Sequence, residues 1–387
     1  MNVPFYRHDL TADDAGAVAN VLQSPFLTSG NVGRAVEERL CEYFGTKHAL
    51  LVNSWTNGAA AVLLALDIAP GDEIIVPAQT FIATANVAEL IGAKAVFIDV
   101  DPATLLMRPD LVRAAVTPRT RAIIPVHLYG QMVDIAALQE VLSDRPDIVI
   151  IEDAAHCFEG ELNGEKPGMR SGCAIFSFYA TKNVTCGEGG AVVTNDTALY
   201  ERLLQTRMHG MSAGAIDRFK LGGYRHWDME KIGMKANLPD LLACLLPSQI
   251  DTIDARLPRR DDLFAVYERA FADTPIRLPV TIGNSRHARH LFVMHVPPAI
   301  RDEAIRVLGE HGVGVTVNYR AVPTVTYYKK KYGFTPGSYP VSETWGAGTI
   351  SLPLFPSMTA EEQGHVIDTV RSKIVPMIET AQARAAR

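Results

Sequence analysis

The sequence predicts an α/β fold built on a largely parallel central sheet with helices on both faces. Three observations carry that expectation. Between about residues 48 and 200, short β-branched runs alternate with helical stretches, the rhythm of β-α-β units. Several of these runs are apolar throughout, as a strand buried on both faces must be. After Asn237 the texture changes, which points to a second unit in the chain.

The candidate strands, in order, are His48–Asn53, Glu73–Val76, Ala95–Asp99, Ala122–Val126, Ile148–Glu152, Ala174–Tyr179 and Ala191–Asn195. Between them, Gly58–Leu66 and Phe81–Ile91 are apolar enough to be crossover helices, punctuated by Pro70-Gly71 and Gly92. Leu241–Ala270 reads as one or two long helices, and a further β/α section runs from about residue 289. The expected division is a large domain over residues 1–248 and a smaller C-terminal domain over 249–387. The closing AQARAAR reads as a fraying helix tail.

With 48% hydrophobic residues, the 387-residue chain can bury a core without staples. A formal net charge of -6 gives no pull toward nucleic acid or anionic lipid. Five scattered cysteines, Cys41, Cys157, Cys173, Cys186 and Cys244, form no CxxC pair, so zinc and redox couples are not indicated and a reducing cytoplasm is the expected setting. Arg7, His8 and Asp9 stand where a signal peptide needs an apolar core, and no apolar run approaches the ~20 residues of a membrane span.

Chemistry concentrates at the expected strand ends, where open α/β sheets hold their ligands. Lys182, in FSFYATKNVTCGEGG, follows a strand; a desolvated lysine there has an amine able to form a Schiff base with a carbonyl. Asp153 ends the run VIIED, where a carboxylate can pair with a protonated pyridine nitrogen; taken alone, it more often caps a helix, here one starting at Ala154. His156 is open in the same way. In Asn53-Ser54-Trp55-Thr56-Asn57-Gly58 a strand turns into a helix, whose free amides, with the Ser54 and Thr56 hydroxyls, suit a phosphate or a plain N-cap. Phe81 can lie flat on a planar ring or fill the core. Neither GxGxxG, GxxxxGK[ST] nor HExxH occurs, and Gly210–Gly214, a formal GxSxG, lacks the apolar strand a nucleophile elbow needs.

Taken together, NSWTNG, GDEIIVPAQTFIATAN, AIIPVHLYGQ, IEDAAH, FSFYATKN and CGEGGAVVTND resemble, in order and spacing, the DegT/StrS-type sugar aminotransferases, and KANLPDLLACLLPSQI and ISLPLFPSMTAEE extend the resemblance from about Phe26 to Gln363. The resemblance implies a fold-type I PLP-dependent transferase. Its large domain would hold a mixed, mostly parallel seven-stranded sheet beside a smaller C-terminal α/β domain, and two copies would form a homodimer with shared active sites. It implies that Lys182 is the Schiff-base lysine, Asp153 the partner of the pyridine nitrogen, and Phe81 the residue stacked on the cofactor. His156 would lie near the phenolic oxygen of the ring. Thr56, Asn57 and Ser177 would touch the phosphate, and Asn237 would reach the phosphate of the partner subunit. Trp55-Thr56-Asn57 replaces a frequent Gly-Thr-Ala, and Lys235-Ala236-Asn237 a frequent Asn-Tyr-Arg. Tyr179, Tyr319 and His290 fall in segments resembling those that border the substrate cleft, with core or supporting roles as the alternative.

The implied reaction uses pyridoxal 5'-phosphate. An amino acid, L-glutamate by expectation, leaves its nitrogen as pyridoxamine 5'-phosphate, and Lys182 then helps to deliver it to a keto sugar. The expected acceptor is a nucleotide-linked 4-keto-6-deoxy sugar, with a C3-keto sugar or a cyclitol ketone as alternatives. A dehydratase branch resembles these enzymes with histidine in place of the lysine, so Lys182 argues against it. A desulfurase would need a mobile cysteine, and Cys186 sits in a tight TCGEGG turn. A non-enzymatic regulator on this fold would carry an added DNA-binding helix pair, for which the roughly 25 residues before the first motif leave no room.

Overall fold

The computed structural model describes residues 1–212 and 226–385, and all seven expected strands occur in one sheet. They are β1 (His48–Val52), β2 (Glu73–Pro77), β3 (Lys94–Ile98), β4 (Thr120–Ile123), β5 (Val149–Asp153), β7 (Cys173–Ser177) and β8 (Gly190–Thr194). The two-residue β6 (Glu161–Leu162) pairs apart from the sheet with β9 (Ser285–Arg286). In space the order is β1-β8-β7-β5-β4-β2-β3. From β7 to β3 all neighbours are parallel, and β8 runs antiparallel to both β1 and β7.

Apolar continuity has the structural cause the sequence suggested. Successive side chains of a strand point to opposite faces, and here both faces are covered. Leu50, Val52, Ile74, Val76, Ile175 and Val192 pack against the helices Trp55–Ala65, Ile82–Leu90 and Thr197–Thr206. Their neighbours Ala49, Leu51, Phe176 and Val193 face a second core with the helix Asn31–Phe44, while Ile75, Ile123 and Ile150 face a third with Val112 and Leu138.

A separate core surrounds the antiparallel pair β10 (Phe292–His295) and β11 (Thr349–Leu352), with the helices Arg301–Glu310 and Ala360–Thr369. The latter starts where its sequence says it should. Thr359 accepts the Glu362 N–H at 3.1 Å while Glu362 accepts the Thr359 N–H at 2.8 Å, a capping box. The stretch expected as one or two long helices is a short turn, Asp240–Ala243, followed by Pro247–Phe271. That 25-residue helix buries Ile250 and Ile253 against the sheet's core and Leu263, Tyr267 and Phe271 in the C-terminal core. Of the formal GxSxG match, Ala213 and Gly214 lie outside the described residues, as do the last two residues of the tail. No helix among the described residues is long and apolar enough to cross a membrane.

This topology gathers the site. Because β1, β2, β4, β5 and β7 all run the same way, Ser54, Thr80, Val126, Asp153 and Ser177 emerge at one edge of the sheet, and β8 enters from it at Gly190.

Candidate active site

A cavity of about 610 Å³ opens at that edge, lined by Ser54, Thr56, Phe81, Asp153, His156, Ser177, Tyr179, Lys182 and Tyr319. Nine of the twelve expected site residues thus share one wall. Asn57 and Asn237 do not line it. The Asn57 side chain donates to Asn53 Oδ1 at 2.8 Å, and the Asn237 amide donates to Ser29 Oγ at 2.7 Å, leaving Asn237 Oδ1 buried without a partner among the described residues. His290 lines a small polar cavity next door, which shares Tyr6, Thr181 and Lys182 with the large one.

Lys182 lies in a loop five residues beyond the end of β7, in a turn closed by its own N–H on the Tyr179 carbonyl at 2.9 Å. The residue is partly exposed as a whole, yet its amine is enclosed. Burial pulls the amine's pKa down to about 8, against the opposing attraction of Asp153. An appreciable fraction is therefore neutral and nucleophilic near neutral pH.

Asp153 ends β5, but no helix follows; Ala154–Gly160 is a turn, so the N-cap alternative fails. Its Oδ1 accepts the Ala155 N–H at 3.2 Å and its Oδ2 the Thr84 hydroxyl at 2.9 Å. Burial raises its pKa, opposed by those bonds and by Lys182. Two carboxylate oxygens offer about four acceptor sites, so the acid keeps capacity for another donor.

Ser54 caps the helix Trp55–Ala65 by accepting the Asn57 N–H at 3.1 Å. The N-cap reading of this turn therefore holds, and it leaves two further donors beside it. The N–H groups of Trp55 and Thr56, at the positive end of the helix dipole, donate to nothing among the described residues. Gly190 allows the turn to sit this close to β8: a Cβ there would lie 2.5 Å from the Phe176 carbonyl oxygen and 3.0 Å from the backbone of Ser54 and Trp55.

His156 is fixed as one tautomer. The Tyr129 N–H donates to its Nδ1 at 3.2 Å, so a neutral ring carries its proton on Nε2, which faces Tyr319 Oη at 2.9 Å. Burial, with Lys182 nearby, holds its pKa well below the imidazole range and keeps the ring neutral. The Tyr319 hydroxyl accepts that proton's bond. The Tyr319 ring packs near Phe81, centroids 5.4 Å apart, and Phe81 is half exposed at the cavity wall.

Several wall residues escaped the sequence reading. Phe5 and Tyr6 come from the N-terminal segment, which is tied to the C-terminal core by a Val3–Val313 bridge. Thr84, on the helix Ile82–Leu90, orients Asp153. The motif FIATAN was in view, but nothing local says that its threonine reaches across to β5. Cys186, by contrast, is buried outside the wall, and burial pushes its thiol pKa far up, which removes the thiolate a desulfurase needs.

An acid with acceptor sites to spare, an enclosed amine and unpaired N–H groups at a helix N-terminus now line one cavity. They match a pyridinium nitrogen, an aldehyde and a phosphate, the three handles of pyridoxal phosphate. No cluster of metal-ligating residues occurs among the described residues.

Comparison with known proteins agrees. Residues 8–371 match the profile of the DegT/DnrJ/EryC1/StrS aminotransferase family. DesV of S. venezuelae, solved in complex with a ketimine intermediate, is 34% identical with a TM-score of 0.88 over 96% of this chain and 98% of its own. Spr1654 of Streptococcus pneumoniae, in its PLP form, is 28% identical with a TM-score of 0.89, again over 96% of this chain and 98% of its own. Helicobacter pylori PseC, an aminotransferase involved in the biosynthesis of pseudoaminic acid, is 26% identical with a TM-score of 0.88 over 96% and 99%. The chain belongs to the DegT/DnrJ/EryC1/StrS aminotransferase family and is a fold-type I, pyridoxal-phosphate-dependent sugar aminotransferase.

Proposed function

We propose that the enzyme moves an amino group from L-glutamate to C4 of a nucleotide-linked 4-keto-6-deoxy sugar, as a cytoplasmic homodimer whose two sites are shared. The observation that carries the reading is one cavity, walled by both the Lys182 amine and the Asp153 carboxylate. At about 610 Å³ it falls within the size of sites that enclose a cofactor and a substrate ring. Similarity to DesV and PseC supports an amino-sugar product.

Pyridoxal phosphate supplies an aldehyde that captures amines and a ring that accepts the electron pair left when the adjacent C–H bond breaks. Lys182 would hold the aldehyde, and its amine would serve as the base for the α-carbon proton of the donor and as the acid that returns a proton to the sugar carbon. Asp153, kept in place by Thr84 and Ala155, keeps the ring nitrogen protonated. Trp55 and Thr56 N–H groups, with the Ser54, Thr56 and Ser177 hydroxyls, would hold the phosphate, and Phe81, on the same wall, would be available to pack on the ring. Asn57 supports that turn from behind, and Asn237 acts across the subunit boundary. Tyr319 and Tyr179, on the cavity wall, and His290, in the small cavity beside it, are the residues assigned to the sugar.

The test is direct. The purified protein with pyridoxal phosphate should show a visible band that L-glutamate bleaches, and a panel of keto sugar nucleotides should restore it. Mass and NMR analysis of the product identifies the aminated carbon. A band that glutamate leaves untouched refutes the donor, and restoration only by C3-keto sugars or cyclitol ketones refutes the acceptor.

A further inference from the structure

Behind Lys182 lies a buried polar cluster that the chemistry above leaves unused. Arg260, on the helix Pro247–Phe271, donates to Glu159 Oε1 at 3.0 Å, and both side chains are almost wholly buried. Asn183, the residue after the lysine, donates through its amide to Glu159 Oε1 and Oε2 at 3.0 and 2.9 Å and to the Ala288 carbonyl at 2.8 Å. Three acceptors around one nitrogen fix the amide's orientation, since the flipped form would set its oxygen against a carboxylate. Asn183 Oδ1 must then be the acceptor for His290 Nδ1 at 3.1 Å. His290 therefore carries its proton on Nδ1 and leaves Nε2 without a partner among the described residues, on a ring that lines the small cavity shared with Lys182 and packs 4.5 Å from the His156 ring. The same helix grips the loop a second time. Gln249 accepts the Thr185 N–H at 3.0 Å and donates to the Thr185 carbonyl at 2.7 Å.

We propose that the Arg260–Glu159 pair is a positioning device for Lys182, which acts through Asn183 to pin the lysine's loop and to hold His290 with its acceptor nitrogen bare. The inference rests on Lys182 being the cofactor's lysine. A buried ion pair is a poor source of net stability, because desolvation offsets most of its attraction. Its value lies in geometry: a carboxylate held by Arg260 presents two oxygens in a fixed plane, and the Asn183 amide has one way to fit them. Because the helix Pro247–Phe271 also anchors the C-terminal core, it ties the lysine's loop to the part of the protein that carries Tyr319 and His290. Near Lys182 are thus two neutral histidines of opposite tautomer packed on each other, His156 bonded as a donor toward Tyr319 and His290 open as an acceptor.

Asn183→Ala tests this, since it cuts the link while leaving the ion pair intact. The variant leaves Glu159 Oε2, the Ala288 carbonyl and the His290 Nδ1–H without this partner, so the holoenzyme should melt lower, and the discriminating readouts are spectral and kinetic. It should shift the pH midpoint of the cofactor's visible band by about half a unit or more and lower kcat about tenfold or more with little change in KM, as expected of a slightly misplaced reacting group. Tyr267→Phe, which removes a hydroxyl bonded to the Pro353 carbonyl in the C-terminal core, is the control for stability alone. It should lower Tm and leave band and kcat unchanged. Should Asn183→Ala lose stability without moving midpoint or kcat, the cluster is structural and the positioning role is overturned. Glu159→Gln/Arg260→Met, which removes both charges together, should reproduce the midpoint shift, and an unshifted midpoint in this folded double variant counts equally against the proposal. A missing visible band in the unmutated protein sinks the cofactor reading itself, which separates the two failures.

Discussion

Asp153→Asn makes the sharpest test of the site, because it should push cofactor affinity and apoprotein stability in opposite directions. Asparagine fits the pocket. Its oxygen can take the Ala155 N–H, and its amide can donate to Thr84, whose hydroxyl is free to turn toward Thr80 at 2.9 Å. What is lost is the charge. A charge-assisted hydrogen bond to a protonated ring nitrogen in this buried wall contributes about 1.5–3 kcal/mol. At about 1.4 kcal/mol per tenfold, the variant should bind pyridoxal phosphate roughly ten- to a hundredfold more weakly. Turnover should fall further still, since an uncharged partner no longer keeps the nitrogen protonated. The apoprotein should respond the other way. Folding raises the Asp153 pKa above its ordinary 3.8, so the native state favours the protonated acid. Stability from that preference is complete below the unfolded pKa and is lost as pH climbs through the folded one. Asparagine suffers no such loss. Apo Asp153→Asn should therefore gain on the unmutated apoprotein as pH rises from about 4, and added cofactor should reverse the ranking. Thermal melts of both apo and holo proteins from acid to neutral pH measure this, with cofactor titrations for affinity. A variant that binds the cofactor as tightly as the parent, or an apo form that is less stable at every pH, would refute the account of this acid.

Three further outcomes are expected. Lys182 in the apoprotein should react with an amine-selective acylating reagent with a midpoint near pH 8, its pKa being lowered from 10.5 by burial, while surface lysines respond about two units higher; mass mapping of the labelled peptide reads both. Lys182→Ala should abolish turnover. Gly190→Ala forces a methyl against the backbone of Phe176, Ser54 and Trp55. A cost of about 1–3 kcal/mol in unfolding by denaturant is expected, with weaker phosphate binding as the turn shifts. Cys186→Ser should keep full aminotransferase activity with modest destabilisation, and loss of activity would reopen the desulfurase reading.

The seven strands were legible because burial on both faces leaves a local signature, an unbroken apolar run such as IVIIE or AIFSFY. Their ends moved by up to three residues, as at Thr120–Ile123, where pairing with neighbours rather than side-chain type decides termination. Ser54 and Asp153, which follow such runs, were legible with them, whereas Ser177, inside the expected strand Ala174–Tyr179, entered only through the resemblance. Ser54, Asp153 and Ser177 fall at one edge because the connections make their strands co-directional. The helix expected at Ala154 is absent: Asp153 uses its oxygens on Ala155 and Thr84, and the chain bends at once into the turn that carries His156. What the sequence hid is long-range. Thr84, Glu159 and Arg260 sit 69, 23 and 78 residues from the site residues they serve, measured from Asp153 to Thr84 and from Lys182 to Glu159 and Arg260. No periodicity reports a hydrogen bond across such a gap. His290 was visible only through resemblance, and its tautomer became readable once three oxygens had fixed the Asn183 amide.

The two charges of the cavity are each unfavourable where they stand, and that is the physical basis of its affinity. Burial lowers the Lys182 pKa and raises that of Asp153, and each only partly relieves the other. Both neighbouring histidines are held neutral, so neither offers a compensating charge. At the Ser54–Thr56 turn, the Trp55 and Thr56 N–H groups also donate to nothing among the described residues. An occupant that binds the amine covalently, brings a cation to the acid and an anion to the helix N-terminus removes all three penalties together. A ligand with one of these handles removes one. The site should therefore discriminate against inorganic phosphate or pyridoxal lacking its phosphate by more than the area of contact suggests. Calorimetric titration of the apoprotein with each fragment separately and with pyridoxal phosphate measures that difference. Pyridoxal that binds as tightly as pyridoxal phosphate would show that the helix N-terminus carries no penalty for a phosphate to remove.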